Sequence, residues 1–515
     1  MTAETGTVIS GRAGELGLGQ LRKAWQGPVR VSLDEQALAR IGQSQQAVAS
    51  LLAAHEPIYG INTGFGMLAN VRIPDGELAE LQENLILSHC AGIGDLLEDR
   101  VVRLVLLLKI LSLAQGYSGI TPAAVLALAK LLNHEIYPCV PSRGSVGASG
   151  DLAPLAHLSA VLLGVGRARH AGREHDAAEA LRLAGLGPLT LQPKEGLALL
   201  NGTQVSTALA LGALFQIENV FAAACLAGAL SVDAARGSDT PFDARVSSVR
   251  GHQGQSDVAA LFRNLMAGSG IRASHSRCDR VQDPYSLRCQ PQVMGACLQA
   301  VRHVADVLLC ESRAVTDNPL VFSDDRVILS GGNFHAEPVA LACDYLATAI
   351  AEIGALSERR IALLIDARMS GLPPFLVEHS GLNSGFMVAQ VTAAALASEN
   401  KSLAHPASVD SLPTSANQED HVSMATAAAL RLYRMAGNTA GIVAIELLAA
   451  AQGVEFHRPL RSSVSLEGCI AAVRAVSPRF ERDRPLSGDI QALQQLILDG
   501  RFVGAAGAVL PSLGG

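Results

Sequence analysis

The chain is poor in aromatic residues and has no excess of positive charge. Only 4% of its 515 residues are Phe, Trp or Tyr, whereas 49% are hydrophobic, so Ala and Leu supply most of the core. Such a composition favours helices packed closely on helices. The net charge of −7 argues against a surface for nucleic acid or for an anionic membrane. A protein that acts on a small molecule fits these features better.

Paired cysteines and long apolar runs are also missing. The nine cysteines are scattered, and no two form a Cys-x-x-Cys pair, which favours buried thiols in a reducing compartment over disulfides or a bound metal. The first residues lack the basic start and apolar core of a signal peptide. The most apolar stretches, Val101–Leu113 and Val220–Val232, are shorter than the ~20 residues that span a bilayer. We therefore expect a cytoplasmic protein with no membrane segment.

Helical periodicity dominates what is present, and several helical segments exceed the length of an average globular helix. The expected helices are Gly76–Leu87, Leu96–Gln115, Pro122–Asn133, Leu152–Arg169, Thr203–Arg236, Pro291–Val315, Pro338–Met369, Gly385–Leu403, Asp420–Gln452 and Gly488–Leu498. Strand signals are confined to Val29–Ser32 and Leu189–Leu191. The sequence predicts a mainly α protein, with a loosely ordered segment 1–18, a smaller N-terminal globular part over residues 19–200, and a long-helix bundle over residues 201–515.

Residues 144–154 read GSVGASGDLAP, and their centre can become an electrophile without an added cofactor. If the amide nitrogen of Gly150 attacks the carbonyl carbon of Ala148, loss of water closes a five-membered ring. Loss of a second water from Ser149 then leaves an exocyclic methylene. Glycine keeps the attacking nitrogen unhindered, and Asp151 is placed to assist the proton transfers. The alternative is an ordinary glycine-rich turn capped by Ser149 or Asp151, because short motifs have many chance matches.

The run GSVGASGDLAPLAH resembles the signature of the aromatic amino acid ammonia-lyase family, and six further blocks keep the order of that family. The resemblance implies an aspartase/fumarase-like lyase architecture and a homotetramer whose sites combine residues from three chains. It also implies a 4-methylidene-imidazol-5-one group formed autocatalytically from Ala148-Ser149-Gly150, with no external cofactor. The chain is most similar to the members that act on L-histidine. Non-oxidative deamination to trans-urocanate and ammonia, the first step of histidine degradation, is therefore the expected activity.

Three blocks in the N-terminal half supply candidate site residues. The loop YGINTGFG (residues 59–66) has neither the GxGxxG pattern nor the Gly-Lys-Ser/Thr pattern of phosphate-binding loops. The resemblance implies that it is a mobile lid, with Tyr59 as a candidate acid or base. His89 matches the position that distinguishes ring types, where the family has His for tyrosine or histidine substrates. Asn201 is a plausible helix N-cap, and the resemblance places it beside the prosthetic group and the substrate carboxylate. A packed tyrosine and a structural histidine are the alternatives.

Two blocks in the C-terminal half would hold the substrate. The segment Gln282–Gln292 is rich in polar side chains, and an arginine there could bind an α-carboxylate through two parallel hydrogen bonds. The resemblance gives that task to Arg288, with Tyr285 near the prosthetic ring and Gln282 in the pocket. Phe334 matches an aromatic that stacks beside the ring. A surface arginine and a core phenylalanine are the alternatives.

The last block carries Glu419, where the phenylalanine and tyrosine enzymes of the family have glutamine. A carboxylate suits an imidazole or ammonium group, although Glu419 could also simply favour the positive end of a helix. With His89 it favours histidine over tyrosine, whose ammonia-lyase or aminomutase is the nearest alternative. An inactive helical relative is the non-enzyme alternative, and a serine hydrolase is excluded because Asp151 breaks Gly-x-Ser-x-Gly. The sequence leaves open whether Tyr59 or Glu419 is the base, and whether the substrate attacks through its amine or its imidazole.

Overall fold

The computed structural model describes residues 7–53, 61–63, 72–275 and 281–514. The chain divides into two compact units, each discontinuous in sequence because the chain enters each unit more than once. Unit 1 contains Met1–Gly212, Asp306–Cys343 and Pro406–Leu430, and unit 2 contains Ala213–Ala305, Asp344–His405 and Arg431–Gly515. The boundary expected near residue 200 stays a prediction.

Unit 1 carries the strands that the structure describes, all of them short. They are β1 (Thr7–Ser10), β2 (Val29–Ser32), β3 (Ile93–Leu96), β4 (Tyr137–Pro138), β5 (Pro141–Arg143), β6 (Arg167–His170), β7 (Arg173–Asp176), β8 (Leu320–Phe322) and β9 (Val327–Leu329). Strands β1 and β2 pair in parallel, with Thr7 opposite Val29, whereas β3–β5, β4–β6–β7 and β8–β9 are antiparallel. The helices of this unit are α1 (Leu18–Gln26), α2 (Glu35–Ala53), α3 (Leu78–His89), α4 (Asp99–Leu113), α5 (Pro122–Asn133), α6 (Leu152–Ala160), α7 (Ala177–Leu183) and α8 (Glu195–Leu200).

Four long helices contribute residues to both units. They are α9 (Gln204–Ala234), α14 (Gln290–Arg313), α15 (Glu337–Ile365) and α18 (Ala425–Glu455). The helices α10 (Ala244–Ser248), α11 (Gln253–Met266), α12 (Gly270–Ala273), α13 (Tyr285–Arg288), α16 (Ala367–Ser370), α17 (Met387–Leu403), α19 (Val464–Arg474) and α20 (Ser487–Leu498) complete unit 2. The mainly α fold with long helices is thereby confirmed.

Local capping explains where the element predictions were right and where they were wrong. Helix α5 has its predicted bounds because the Thr121 side chain accepts a hydrogen bond from the Ala124 amide and Pro122 occupies the first turn. Strand β2 is also confirmed. The helix expected over Leu152–Arg169 ends at Ala160, and Gly164 then turns the chain through a positive φ of 80° toward β6. The strand expected at Leu189–Leu191 is absent from this described segment.

By length and composition alone, the four long helices could each cross a membrane, so the expectation that no segment reaches that length was wrong. The uncharged runs in the sequence are shorter than the helices that contain them. The most apolar window is 100% buried within the protein in α9 and 89% in α18, compared with 67% in α15 and 50% in α14. The protein itself therefore buries the whole apolar window of α9 and most of that of α18.

A buried ion pair joins three of these helices inside unit 2. The guanidinium of Arg360 on α15 and the carboxylate of Glu446 on α18 are both fully buried, and Nη2 lies 2.7 Å from Oε2. The hydroxyls of Ser231 on α9 and Ser357 on α15 donate to the same carboxylate at 2.7 and 2.6 Å. These hydrogen bonds offset part of the cost of burying the two charges. The pair thus fixes the relative register of α9, α15 and α18.

Candidate active site

The Ala148-Ser149-Gly150 segment forms a tight turn at the start of α6. Ala148 and Gly150 are buried, and Ser149 is half-buried. Gly150 has a φ of +75° and pairs with Gly202 in a parallel bridge. A Cβ atom at Gly150 would lie 2.2 Å from the Gly202 carbonyl oxygen, so no larger residue fits without movement of the backbone. This turn therefore requires glycine for both its conformation and its contact.

Asp151, which follows the turn, anchors it to two helices. Its side chain is fully buried, and its carboxylate accepts four hydrogen bonds. Oδ1 accepts from Ser145 Oγ at 2.8 Å and Thr426 Oγ1 at 2.6 Å, and Oδ2 accepts from the Ser206 amide and hydroxyl at 2.7 and 2.9 Å. Four donors match what an ionised carboxylate can accept. Asp151 occupies the N-cap position of α6, but its side chain does not cap that helix.

Glu419 contacts the turn directly. Its Oε1 accepts a hydrogen bond from Ser149 Oγ at 2.9 Å, and its Oε2 accepts one from Thr414 Oγ1 at 2.7 Å. The Thr414 amide also donates to the Glu419 carbonyl at 2.9 Å, which closes the intervening loop. The expected helix start at Asp420 was wrong, because α18 begins at Ala425. The interpretation of Glu419 as a helix-end charge therefore fails.

Asn201 lies beside the same turn, but not as a helix N-cap. It follows the last residue of α8, and its amide donates to the Leu197 carbonyl, so the N-cap prediction was wrong. The reason is Gly202, whose φ of +127° separates α8 from α9. The Asn201 side chain is 4% exposed, and its Oδ1 has no hydrogen-bond partner among the described residues. A buried acceptor of this kind is available to a bound group.

His89 is the last residue of α3, and it is half-buried. Its Nδ1 lies 2.7 Å from the Leu85 carbonyl oxygen, which can only accept, so Nδ1 carries the proton in this contact. In the neutral ring Nε2 is then an acceptor. Three residues later Gly92 packs against Gly144, because a Cβ at Gly144 would lie 3.1 Å from the Gly92 Cα. The end of α3 therefore lies beside the loop that leads to Ser149.

Phe334 is half-buried in the loop between β9 and α15. The next residue, His335, stacks on His421 with ring centroids 5.8 Å apart and an interplanar angle of 7°. Its Nε2 also lies 3.1 Å from the His421 carbonyl oxygen. His421 is two residues beyond Glu419. These contacts bring the Phe334 loop to the segment that carries the carboxylate.

A second group of predicted residues lies in unit 2. The expected loop contains the short helix α13, with Tyr285 71% exposed, Arg288 half-buried and Gln282 exposed. The Arg288 guanidinium carbon lies 4.5 Å from the Tyr285 ring centroid, a cation–π contact. Its Nε atom is buried and has no partner among the described residues. Tyr59 lies outside the described residues.

The sequence reasoning missed residues that support the site rather than form it. Thr414 lies in the same block as Glu419, and Ser145 lies in the Ala-Ser-Gly run, so both stood close to recognised motifs. Ser206 and Thr426 open apolar helices, and nothing in their local sequence indicates a role. Lys109 could have been found from the sequence, because it is a charged residue that interrupts the apolar run of α4. Complete burial lowers the pKa of Lys109 to about 7.

We expect Gly150→Ala to prevent loss of two waters from the chain, because the new Cβ would meet the Gly202 carbonyl. The matched control is Gly172→Ala, where φ is also +75° but no atom lies within 4 Å of the added Cβ. Both variants incur the cost of a left-handed alanine, about 1–2 kcal/mol. Intact-mass spectrometry and the melting temperature of both variants test this. Loss of two waters from Gly150→Ala at the wild-type extent would contradict the requirement for glycine.

Comparison with known proteins gives the same family as the motifs. Residues 16–475 match the family described as aromatic amino acid lyase. The chain is 59% identical over 496 residues to a histidine ammonia-lyase from Vibrio cholerae, which covers 96% of this chain and 97% of that protein.

Solved structures agree in fold over nearly the whole chain. The crystal structure of a histidine ammonia-lyase from Trypanosoma cruzi gives a TM-score of 0.89 at 39% identity, covering 98% of this chain and 96% of that one. Tyrosine aminomutase from Streptomyces globisporus gives a TM-score of 0.91 at 34% identity, covering 97% of this chain and 98% of that one. The chain therefore belongs to the aromatic amino acid lyase family.

Proposed function

We propose that the chain catalyses the non-oxidative deamination of L-histidine to trans-urocanate and ammonia, the first step of histidine degradation. The observation that carries this proposal is the contact between Ser149 Oγ and the Glu419 carboxylate, 2.9 Å apart. It joins the residue that would supply the electrophilic carbon to the residue that favours an imidazole substrate. Near full-length relatives described as histidine ammonia-lyases support the same activity.

The geometry fits formation of 4-methylidene-imidazol-5-one from Ala148-Ser149-Gly150. In this reaction the Gly150 nitrogen forms a bond to the Ala148 carbonyl carbon, whose oxygen leaves as water. Ser149 then loses its Oγ and its Cα hydrogen as a second water. The positive φ of Gly150 and its pairing with Gly202 supply the compact backbone that ring closure requires. The unpartnered Oδ1 of Asn201 beside this turn fits a bound polar group, and no external cofactor is needed.

Once formed, the group supplies an electrophilic methylidene carbon that activates the amino acid for loss of ammonia. Its formation removes the Ser149 hydroxyl, which is the donor to Glu419 Oε1 in the uncyclised chain. Glu419 then has one oxygen held by Thr414 Oγ1 and one available to the substrate. Thr414 would thus orient the carboxylate so that it can accept the β proton or a hydrogen bond from the substrate imidazole. Tyr59 and Glu419 are the two candidate bases for the β proton.

The other candidate residues would bind the substrate by ordinary polar contacts. The proton that His89 holds on Nδ1 leaves Nε2 as an acceptor for an imidazole N–H. Arg288 would bind the α-carboxylate through its fork of donors, with Asn201 and Gln282 as further polar partners. Phe334 would pack against the prosthetic ring, and Tyr285 would lie near it. Asp151 would assist the proton transfers of cyclisation.

The assembly that fits this function is a cytoplasmic homotetramer with sites shared among chains. Exposed apolar side chains on the long helices support association, with Leu341 and Tyr345 on α15 55% and 47% exposed. On α17, Val388 and Val391 are 66% and 56% exposed. Exposed apolar groups of this kind mark interaction surfaces when they are contiguous. The exposure of Tyr285 in the single chain also fits a residue that a neighbouring subunit would cover in a shared site.

Tyrosine ammonia-lyase or aminomutase activity is the second candidate, favoured by the 34% identity to a tyrosine aminomutase and by His89. A direct assay distinguishes the two. We expect ammonia and urocanate from L-histidine, with far slower formation of coumarate or β-tyrosine from L-tyrosine. Ser149→Ala, which lacks the leaving group, is the inactive control. Faster turnover of tyrosine than of histidine would contradict the substrate assignment, and no product from any amino acid would favour an inactive relative.

Glu419→Gln tests the role of the carboxylate separately from formation of the prosthetic group. The glutamine Oε1 can still accept from Ser149 Oγ, so we expect the variant to lose both waters. Turnover of histidine should fall by roughly 10²-fold or more, as for loss of an acid–base group. The measurements are intact mass, melting temperature and urocanate formation. A variant that matures and keeps the wild-type kcat would show that the charge of Glu419 is not required.

Arg288→Lys tests the carboxylate anchor. We expect KM to rise and kcat/KM to fall roughly tenfold or more, because an ammonium cannot reproduce the planar fork of arginine. The control is Arg302→Lys, whose guanidinium contacts the Val509 carbonyl and Asp257 instead. Steady-state kinetics with histidine measure both. Unchanged constants for Arg288→Lys would place Arg288 outside the substrate site.

A further inference from the structure

Lys109 is a cation in the middle of an apolar helix. It lies on α4, where each residue from Val101 to Leu113 is buried, and Lys109 itself is 1% exposed. Burying an ammonium away from water is costly unless it has a partner. Its Nζ donates to the backbone carbonyl oxygen of Asn201 at 2.6 Å. The buried ammonium of Lys109 therefore donates a hydrogen bond to the main chain beside the Ala-Ser-Gly turn.

The contact continues from Asn201 to the turn along the backbone. Gly202, the next residue, pairs with Gly150, and its carbonyl accepts from the Asp151 amide at 2.8 Å. A shift of the Asn201 carbonyl would therefore move the strand-like segment against which Gly150 is held. The hydrogen-bonded path from Lys109 to the turn thus runs through the backbone of Asn201 and Gly202.

The carboxylates near Lys109 already have other hydrogen-bond or ionic partners, so the contact with the Asn201 carbonyl is the one that distinguishes Lys109. Lys194, also fully buried, pairs with Asp317 at 2.8 Å, and Asp317 also accepts from the Asn318 amide at 2.7 Å. The Asp151 carboxylate already accepts from three hydroxyls, those of Ser145, Ser206 and Thr426, and from the Ser206 backbone amide. Lys109 thus donates to a carbonyl rather than to either carboxylate. Charged or neutral, its amine keeps an N–H for this purpose.

We propose that Lys109 is a positioning residue for formation of the prosthetic group. By holding the Asn201 carbonyl, it keeps Gly202 against Gly150 and so keeps the Gly150 nitrogen close to the Ala148 carbonyl carbon. The inference rests on the proposed function, because it concerns how that group is made. Its effect falls on cyclisation of the chain and is separate from turnover of the mature enzyme.

The test is the rate at which newly made full-length chain loses two waters. Chain is produced by cell-free synthesis, and intact mass is followed over time for wild type and Lys109→Met, which has a similar length but no donor. We expect the variant to lose the waters at least roughly tenfold more slowly, in line with loss of a hydrogen bond to a charged or buried group. Circular dichroism and melting temperature report the fold of the same samples.

Arg103→Met is the matched control, because it also removes a buried cation from α4. Arg103 is 8% exposed and donates to Tyr137 Oη and the Ala24 carbonyl, away from the turn. We expect it to lower stability but to mature at the wild-type rate. Slow maturation of both variants to the same degree would overturn the proposal, since a general loss of stability would then explain the effect.

Lys109→Gln covers the case in which Lys109→Met does not fold. It keeps an N–H donor on a shorter side chain, so we expect folded protein that matures more slowly than wild type. A folded Met or Gln variant that loses both waters at the wild-type rate would overturn the role of Lys109. A wild-type chain that loses no water would instead refute the proposed function, so the two failures are distinguishable.

Discussion

The buried carboxylate of Asp151 is the constraint on which the rest of the site depends. It accepts hydrogen bonds from Ser145 just before the turn, from the start of α9 and from the start of α18, all within one compact unit. Because the four donors come from three different segments, satisfying one carboxylate fixes the relative position of all three segments. Removing a partner from such a buried group costs more than the net value of one hydrogen bond. The same anchoring holds Gly150 against Gly202 and brings Ser149 within reach of Glu419.

The helices around the site are mostly apolar. The few polar groups buried among them therefore have defined partners and defined positions. Every residue of α9 is buried, so a polar group near it is stabilised when it has an ionic or hydrogen-bond partner. Lys109, the Lys194–Asp317 pair and Glu311, which accepts from Thr203 Oγ1 at 2.6 Å, all satisfy this condition. Desolvation raises the pKa of Glu311 and lowers that of Lys109. These paired polar groups hold the backbone around the Ala-Ser-Gly turn in a fixed arrangement within the helical core.

Sequence reasoning succeeded where the signal was local and failed where packing decides. The bounds of α5 followed from Thr121 and Pro122, and the tight turn followed from Gly150, because each signal lies within a few residues of its effect. The contact between Ser149 and Glu419 joins residues 270 positions apart, so no local pattern reports it. Asn201 was assigned to the wrong helix end because the sequence does not reveal the backbone angle of Gly202. The roles of Tyr285 and Arg288 in a shared site remain predictions.

The central claim is that this chain converts its own Ala148-Ser149-Gly150 turn into an electrophile. The most direct measurement is tandem mass spectrometry of the tryptic peptide that spans residues 144–167 in the purified wild-type protein. The account predicts that this peptide lacks two water molecules and that the loss maps to residues 148–150. An unmodified peptide, with Ser149 carrying its hydroxyl, would contradict it.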